Sequence, residues 1–391
     1  MTREPLVLRV VRATPRRGWI ALGVFAALAF VVVPVSHLAF PPGSPLRVSD
    51  YAVTLGGKIL CYAVVAVALD LAWGYAGILS LGHGLFFALG GYAFGMYLMR
   101  AIGRDGVYQS DLPDFMVFLD WKHLPWYWRG TEHLWWAVVL VVAVPALVAY
   151  VFGRFAFRSR IRGVYLSIIT QALTYAAMLL FFRNETGFGG NNGFTDFKRI
   201  LGHPIWAPST RVALFALSAA LLAGTLVLAR WLVASRYGRV LAAIRDAESR
   251  TMFLGYDPVP YKLFVWTLSA VLCAVAGALY VPQVGIINPS EMSPGNSIEI
   301  AIWVAVGGRG TLVGAMLGAV LVNLAKSWFT VAFPTLWLFF LGLLFVAVTL
   351  FLPGGLMGLA AQLRRRRRPA PAPASARAPV PPPPSGKEVT A

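Results

Sequence analysis

Charged residues are scarce in this chain. Asp, Glu, Lys and Arg together make up 13% of the 391 residues, against about 25% in ordinary globular proteins. A soluble chain so poor in charge could not cover its apolar residues, which amount to 58% of the sequence. The composition therefore excludes a soluble globular protein and indicates a protein that lies largely within a membrane.

Cysteine and histidine are also rare, with two and five residues. Cys61 and Cys273 both lie within apolar runs, so we interpret them as small core residues and not as disulfide partners or metal ligands. The histidines are not spaced as metal ligands, and no nucleophile is paired with a base. We therefore expect no metal site, no cofactor bound by this chain and no catalytic residue, and hence no enzyme.

Acidic residues are the third shortage, because 16 Asp and Glu face 34 Lys and Arg, for a net charge of +18. The basic residues are concentrated in the two termini and a few short loops. That distribution follows the positive-inside rule of membrane proteins. We interpret the charge as a signal for topology that also contacts lipid headgroups, and we expect no nucleic-acid partner.

Long apolar runs, in contrast, are plentiful. Runs that reach or approach the length of a membrane helix, about 20 residues, occur at 19–38, 55–73, 79–99, 134–152, 163–182, 212–233, 263–282, 298–329 and 335–352. The first run follows five arginines and is too long for the core of a cleaved signal peptide, so we expect it to be retained. The runs predict an all-α, polytopic bundle of about 9–10 membrane segments with glycine-broken helices.

Loop charges give the predicted orientation. Four arginines without an acid separate the runs at 134–152 and 163–182, and the 234–262 loop is also rich in arginine, so both loops are predicted to be cytoplasmic. Simple alternation would then leave the basic tail outside the cell. A break at Gly307–Gly310 resolves the conflict if two segments meet there and enter and return on the same side. Both termini are then cytoplasmic.

Four regions follow from this patterning. We assign residues 1–18 to a basic cytoplasmic N-terminus, 19–358 to the transmembrane domain and 234–262 to a cytoplasmic loop within it. Residues 359–391 contain five consecutive arginines and many prolines. We predict that this C-terminal tail is disordered.

The first glycine-rich break covers residues 74–84, at the start of the third apolar run. Interrupted helices expose backbone groups that can bind a polar solute within the membrane. One interpretation places Ser80, Gly82, His83 and Gly84 along a substrate pathway. The other is close helix packing, which a GxxxG pair at 91–95 also favours.

A second break, Gly307-Gly308-Arg309-Gly310, lies in the second half of the chain. Breaks at corresponding places in two halves are a sequence indication of a translocation pathway, and we assign Gly308 and Arg309 to it. Neither break is followed by Gly-Lys-Ser/Thr, so neither is a nucleotide-binding P-loop.

The Gly-Gly-Asn-Asn-Gly segment at 189–193 follows the apolar run at 163–182. Asn191 and Asn192 at an external pore mouth would be able to hydrogen-bond an amide-like solute. Turn chemistry explains the same composition equally well, so both interpretations stay open.

Ionisable residues within spans are costly and usually face the protein interior or water. Asp70 lies near the cytoplasmic end of the second run, where a structural ion pair or a place in a polar pathway would explain it. Lys326 is expected to snorkel to the membrane surface.

The cytoplasmic segment 239–254 has apolar residues at helical spacing and a mixed-charge exposed face. It predicts a short amphipathic helix that ends at Gly255, ahead of Pro258. Such a helix can lie on the membrane or dock into a groove of another subunit. In a chain so poor in charge, we expect it to contact a partner.

Several of these segments resemble the permeases of ABC importers of the branched-chain amino acid type (LivM-like), and within them the urea-transport branch (UrtC type), over about residues 19–358. The matching segments are LSLGHG at 79–84, RGVYLSIITQALTY at 162–175, FGGNNGFTDFK at 188–198, YVPQVGIINPSE at 280–291 and IWVAVGGRGTLVG at 302–314. The resemblance implies a type II ABC importer-like fold in the inner membrane of a bacterium. It also implies partners, namely a second related permease, two cytoplasmic ATPases that hydrolyse ATP, and a periplasmic solute-binding protein.

In such an importer the 234–262 loop is the coupling loop. The residues that the resemblance places at the ATPase contact are Arg239, Arg245, Asp246, Glu248, Ser249, Arg250 and Gly255. The implied solute is urea or a short amide, and branched-chain amino acids are the alternative. A passive urea channel or a secondary carrier is the alternative of another class.

Overall fold

A computed structural model describes residues 16–41, 43–351 and 354–366 of the chain. Most of the predicted N-terminal region 1–18 and of the predicted tail lies outside these residues. The described part is mostly helical with almost no strand, and eight of its helices are long and apolar enough to cross a membrane. The prediction of a polytopic helical bundle is confirmed.

Fourteen α-helices are described. Their bounds are α1 Arg16–Ala27, α2 Val33–Ala39, α3 Asp50–Asp70, α4 His83–Ile102, α5 Asp114–Phe118, α6 Leu134–Arg158, α7 Val164–Phe181, α8 Pro208–Ala234, α9 Arg236–Phe253, α10 Pro258–Val284, α11 Pro294–Gly307, α12 Val313–Ala332, α13 Trp337–Phe351 and α14 Gly355–Arg366. A π-helical turn, Leu28–Val32, joins α1 to α2, and a second one, Leu71–Tyr75, extends α3.

The centre of the bundle is formed by α3, α4 and α10. These helices are the most buried of the candidate spans, whereas the α1–α2 span is almost entirely exposed. Small residues permit the close packing of α4 on α10. A Cβ on Gly277 would overlap the carbonyl oxygen of Phe87, and a Cβ on Gly90 would overlap that of Ala274. Small-residue contacts of this kind let helices approach closely in the absence of a strong hydrophobic drive between them.

The predicted run at 298–329 is interrupted, as the glycine pattern indicates. Its two parts are α11 and α12, which pack on each other and are separated by Gly308–Leu312. The 14-residue α11 is about 21 Å long at 1.5 Å per residue, shorter than the hydrocarbon core of a bilayer, about 30 Å. The α11–α12 pair therefore has the shape expected of two segments that meet within the protein. The orientation of the termini stays a prediction.

The tail prediction needs a correction at its start. Residues 359–366 belong to α14 and are helical, although we predicted disorder from residue 359. The reason is that Leu356 packs against the core, and Gly355 lies so close to Gly308 that a Cβ on it would come within 2.6 Å of the Gly308 Cα. The contact with the second glycine break thus anchors a helix that ends in three arginines.

Four short strands lie in the loops. They are β1 Phe194–Thr195, β2 Arg199–Ile200, β3 His203–Pro204 and β4 Ile286–Ile287. Antiparallel pairing of β1 with β4 sets Phe194 opposite Ile287, and β2 pairs with β3. The β1–β4 pair ties the loop after α7 to the loop after α10. Both loops are on the predicted external side.

The α4–α10 contact yields a stability prediction. Gly277→Leu forces a side chain into the Phe87 backbone, and overpacking of this kind costs about 1–3 kcal/mol or more. We expect the purified protein in detergent to lose thermal stability by several degrees. Gly224→Leu is the matched control, because nothing lies within 4 Å of a Cβ on Gly224 in α8. Equal melting temperatures for the two variants would contradict the packing assignment.

Candidate functional site

The two glycine-rich breaks contact each other. Gly74 lies in the π-helical turn after α3, and a Cβ on it would stand 2.6 Å from the Gly310 nitrogen and overlap the Asp70 carboxylate. Only glycine permits this approach of two backbone segments. We call the set Asp70, Gly74, Arg245 and Gly310 the glycine junction.

Hydrogen bonds hold the second break through both backbone polar groups of Gly310, its N–H and its carbonyl. The Gly310 N–H donates to Asp70 Oδ1 at 2.6 Å, and the Tyr75 hydroxyl donates to the Gly310 carbonyl at 2.9 Å. Asp70 is completely buried. Its side-chain Oδ1 thus accepts a backbone N–H and helps to fix the break. The sequence had suggested an ion pair or a place in a polar pathway for Asp70, and not this role.

The predicted amphipathic helix reaches the same place. Arg245 of α9 donates from Nη1 to the Gly74 carbonyl oxygen at 2.6 Å and from Nε to Asp246 Oδ1 at 2.8 Å. A cytoplasmic helix, by the predicted topology, is therefore bound directly to a broken membrane span. The Arg245 guanidinium also holds the pKa of the Asp246 carboxyl below its usual value, chiefly through the side-chain hydrogen bond.

Helix α9 is not straight. It begins after Ser235, whose side chain accepts a hydrogen bond from the Gly238 N–H, and it is interrupted at Ala247, where φ is −156° and ψ is 73°. It ends at Phe253, two residues before Gly255, whose φ of +86° agrees with the predicted stop at this glycine. The interruption divides α9 into a first part that contacts the junction and a second part that leads away from it.

Glu248, just after the interruption, ties α9 to two other elements. Its Oε2 pairs with Arg162 Nε at 3.2 Å and with Lys262 Nζ at 2.7 Å. Arg162 lies between α6 and α7, and Lys262 lies on α10. Each predicted cytoplasmic connection therefore contributes to one ion cluster, which fixes α9 against the bundle.

The other predicted coupling residues lie on the outside. Arg239, Ser249, Arg250 and Gly255 are exposed. Sequence reasoning missed Phe253 and Leu254, which are 90% and 78% exposed at the end of α9. Aromatic residues and arginines are enriched at protein–protein interfaces, so the exposed Phe253 beside Arg250 is a candidate interface residue. The apolar pair at the end of the helix was the signal in the sequence.

The Ser80–Gly84 segment is held by α7. The Leu81 N–H donates to Thr170 Oγ1 at 3.1 Å, and Ser167 Oγ donates to the Leu79 carbonyl at 2.9 Å. Ser80 itself is buried and accepts from the Gly82 N–H at 3.1 Å. A Cβ on Gly82 would lie 3.0 Å from the Thr170 carbonyl oxygen. These contacts favour the packing interpretation of this break.

His83 is buried between aromatic rings and lies 2.8 Å from Ser269 Oγ through its Nε2. Ser269 donates its own proton to the Ala68 carbonyl at 2.6 Å, so His83 Nε2 is the donor. The chain of bonds joins α4, α10 and α3. Gly84, one residue on, lines a small cavity together with Glu291 and Glu299.

Other predicted pathway residues are placed as follows. Asn191 and Asn192 are exposed in the loop before β1, and Gly193 between this loop and β1 has a φ of +65°. Gly308 has a φ of +116° and packs against α14. Arg309 stacks its guanidinium over the Trp73 ring, with 5.4 Å to the ring centroid. Direct contact of these residues with a solute stays a prediction.

Lys326 does not snorkel, which corrects the sequence interpretation. Its Nζ binds both oxygens of Glu299, at 3.0 and 2.7 Å. The reason is the chain reversal at the second break, which sets α12 beside α11. A single continuous span would have kept Glu299 and Lys326 apart. The sequence did contain a signal for the pair, because these opposite charges lie on either side of a glycine break.

The fold and the junction together define a polytopic helical membrane protein whose interrupted spans are joined to a helix outside the bundle. A family model described as the permease component of a branched-chain amino acid transport system matches residues 51–349. Since this range exceeds half of the chain, the chain belongs to that family of transport permeases.

Individual relatives agree. The chain is 26% identical over 305 residues to the high-affinity branched-chain amino acid transport system permease protein LivM of Salmonella typhimurium, covering 72% of this chain and 64% of that protein. It is 25% identical over 312 residues to BraD of Pseudomonas aeruginosa, covering 76% and 91%. The ribose import permease protein RbsC of Escherichia coli is 23% identical over 206 residues, covering 49% and 60%. No solved structure matches the chain.

The glycine junction can be tested without transport. Gly74→Ala places a methyl group against Asp70 and the Gly310 nitrogen, so one of these contacts must open. We expect amide hydrogen exchange at residues 308–311 to become at least several-fold faster. In Gly342→Ala of α13 nothing lies within 4 Å of the added methyl group, and exchange at 308–311 should stay as in the wild type. Unchanged exchange in Gly74→Ala would show that the junction is not closed by this contact.

Proposed function

We propose that this chain is a permease subunit of an ATP-driven ABC importer that carries urea or a short amide across the inner membrane of a bacterium. The observation that carries the proposal is the hydrogen bond from Arg245 of α9 to the Gly74 carbonyl. It connects a helix that partners can reach to a broken span in the bundle. Membership of the permease family supports the same function.

The proposed importer needs partners for ATP hydrolysis and for solute capture. They are a second related permease, two cytoplasmic ATPases that bind and hydrolyse ATP, and a periplasmic solute-binding protein. The outer side of α9 is the proposed ATPase contact, with Asp246, Ser249 and Arg250 around the exposed Phe253 and Leu254. This chain then has no enzymatic activity of its own.

The proposed transmission follows the contacts of the junction. Movement of the ATPases shifts the outer part of α9, which bends at Ala247 relative to its inner part. Arg245 carries the shift to the Gly74 carbonyl, and the bonds of Asp70 and Tyr75 to Gly310 carry it to the start of α12. The spans that end at the two breaks therefore move together.

Urea is the proposed solute because of the segments at 188–198 and 280–291, which resemble the urea-transport branch. The structure brings these two segments together through the β1–β4 pair. A branched-chain amino acid is the second candidate, and the printed names of LivM and BraD favour it. A passive channel or secondary carrier would not need the link from α9 to the junction.

The importer proposal predicts a strict need for Arg245. In proteoliposomes with the ATPases and binding protein, Arg245→Glu should lower ATP-dependent uptake at least about tenfold, because a carboxylate cannot donate to the Gly74 carbonyl. Arg236→Glu, the same charge change at an exposed residue at the start of α9 and outside the proposed ATPase contact, is the control for charge alone and should retain more uptake. Uptake that continues without ATPases, or that is indifferent to Arg245→Glu, would indicate a channel or carrier.

Competition between solutes tests whether the importer carries urea or a branched-chain amino acid. Uptake of radiolabelled urea should fall little when leucine is added in large excess, because an amide-specific importer has no high-affinity place for leucine. Strong inhibition by leucine would favour the amino acid candidate. Acetamide in excess serves as the positive control, since it is a short amide with the carbonyl and one of the two NH2 groups of urea.

A further inference from the structure

An apolar cavity lies where the N-terminal span packs beside the bundle, at the predicted cytoplasmic end of α8. Its volume is about 120 Å³, and it is bounded by α1, α8 and α12. Its walls include Trp19, Phe25, Leu226 and Met316, and Arg230 is the one charged residue in the described lining. Apolar cavities of about 150 Å³ hold a molecule as large as benzene. This apolar cavity therefore has room for part of a hydrocarbon chain.

A wider cavity adjoins the apolar one at Arg230. Its volume is about 340 Å³, and Arg230 and Val313 line both spaces. The wider cavity is bounded also by Tyr75, by Thr311 of the second break and by Met357 of α14. No Asp or Glu lies in the described lining of either cavity. The two cavities thus form an amphipathic site, apolar toward α1 and with a cation and hydroxyl groups toward the second break.

Arg230 makes neither a hydrogen bond nor an ion pair with any residue that the structure describes. It is half-buried and lies four residues before the end of α8, about 6 Å along the helix. The acidic groups at and beside the glycine junction are engaged elsewhere, because Asp70 accepts from the Gly310 N–H and Asp246 accepts from Arg245. A charged side chain at this depth is costly without a partner. Phosphate fits it, since a guanidinium binds phosphate through two parallel N–H···O bonds.

Further arginines belong to the helices that bound the two cavities. Arg16 and Arg17 directly precede Gly18 at the start of α1, and α14 ends in three arginines. This charge favours an anionic head group over a zwitterionic one, because the ammonium of a zwitterionic lipid finds no carboxylate in the described lining. The apolar cavity favours a lipid over free phosphate, which has no hydrocarbon chain to place there.

We propose that the two cavities bind one anionic phospholipid of the cytoplasmic leaflet, with part of an acyl chain in the apolar cavity and the phosphate on Arg230. Basic pockets between membrane helices on the cytoplasmic side are a recurrent kind of site for lipid head groups. The head group then lies in the cavity that Tyr75 and Thr311 also line, beside the second break. The inference does not depend on which solute the chain transports.

The test is native mass spectrometry of the full-length protein in detergent, which measures the affinity for single bound molecules of phosphatidylglycerol. Arg230→Gln removes the cation, and Leu226→Trp places an indole ring in the apolar cavity. We expect the dissociation constant to rise about tenfold in Arg230→Gln, as for one lost hydrogen bond to a charged group. It should rise several-fold in Leu226→Trp, because the acyl chain loses its place. Phosphatidylethanolamine should bind the wild type several-fold more weakly than phosphatidylglycerol does.

Matched controls are Arg154→Gln and Leu217→Trp. Arg154 is exposed and, like Arg230, lies four residues before the end of its span, here α6. Leu217 is 54% exposed on α8 and lines neither cavity. Both control variants should keep the wild-type affinity for phosphatidylglycerol.

Three results would overturn the lipid site. The first is a wild-type affinity in Arg230→Gln, or an equal loss in Arg154→Gln. The second is displacement of phosphatidylglycerol by glycerol phosphate as effectively as by the whole lipid, which would indicate a phosphate site without a place for the chain. The third is a changed oligomeric state of Leu226→Trp with unchanged lipid affinity, which would assign the apolar cavity to a protein partner.

Discussion

The structure depends on the direct contact of two backbone segments at Gly74 and Gly310. No side chain fits between them, and the contact leaves the Gly310 N–H and carbonyl to be satisfied by Asp70 and Tyr75. Irregular backbone at membrane depth requires such internal partners, because lipid offers none. The same contact exposes the Gly74 carbonyl to Arg245. One steric constraint thereby fixes the ends of two spans and the inner part of α9.

Helix α11 connects this contact with the polar cavity in the bundle. It begins near the cavity with Asn296 and Glu299 and ends at Gly307, beside the junction. Eight residues separate Glu299 from Gly307, about 12 Å of helix. A helix transmits displacement along its axis as a rigid element, so a shift at the junction reaches the cavity lining with little loss. One short helix thus connects the glycine junction with the residues of this cavity.

Much of the fold could be predicted from the sequence. Apolar runs gave the spans, the Gly307–Gly310 segment gave the division into α11 and α12, and helical spacing with Gly255 gave α9. Predictions that depended on one side chain were less successful. Lys326 was expected at the membrane surface and instead pairs with Glu299, since its partner lies 27 residues away across a chain reversal. Residues 359–366 are helical although we predicted disorder from residue 359, because Gly308 gives α14 a packing surface.

By itself, the sequence determined that the chain crosses the membrane repeatedly, where its spans are interrupted, and which helix carries mixed charge. These are local properties, set by hydropathy, by the freedom of glycine and by helical periodicity. Only the tertiary structure decided that the interruptions meet, that Arg245 reaches one of them, and that Glu291, Glu299 and Trp303 share a cavity. Such contacts join residues far apart in the chain, and their distances are set by how whole helices pack, which no local pattern encodes.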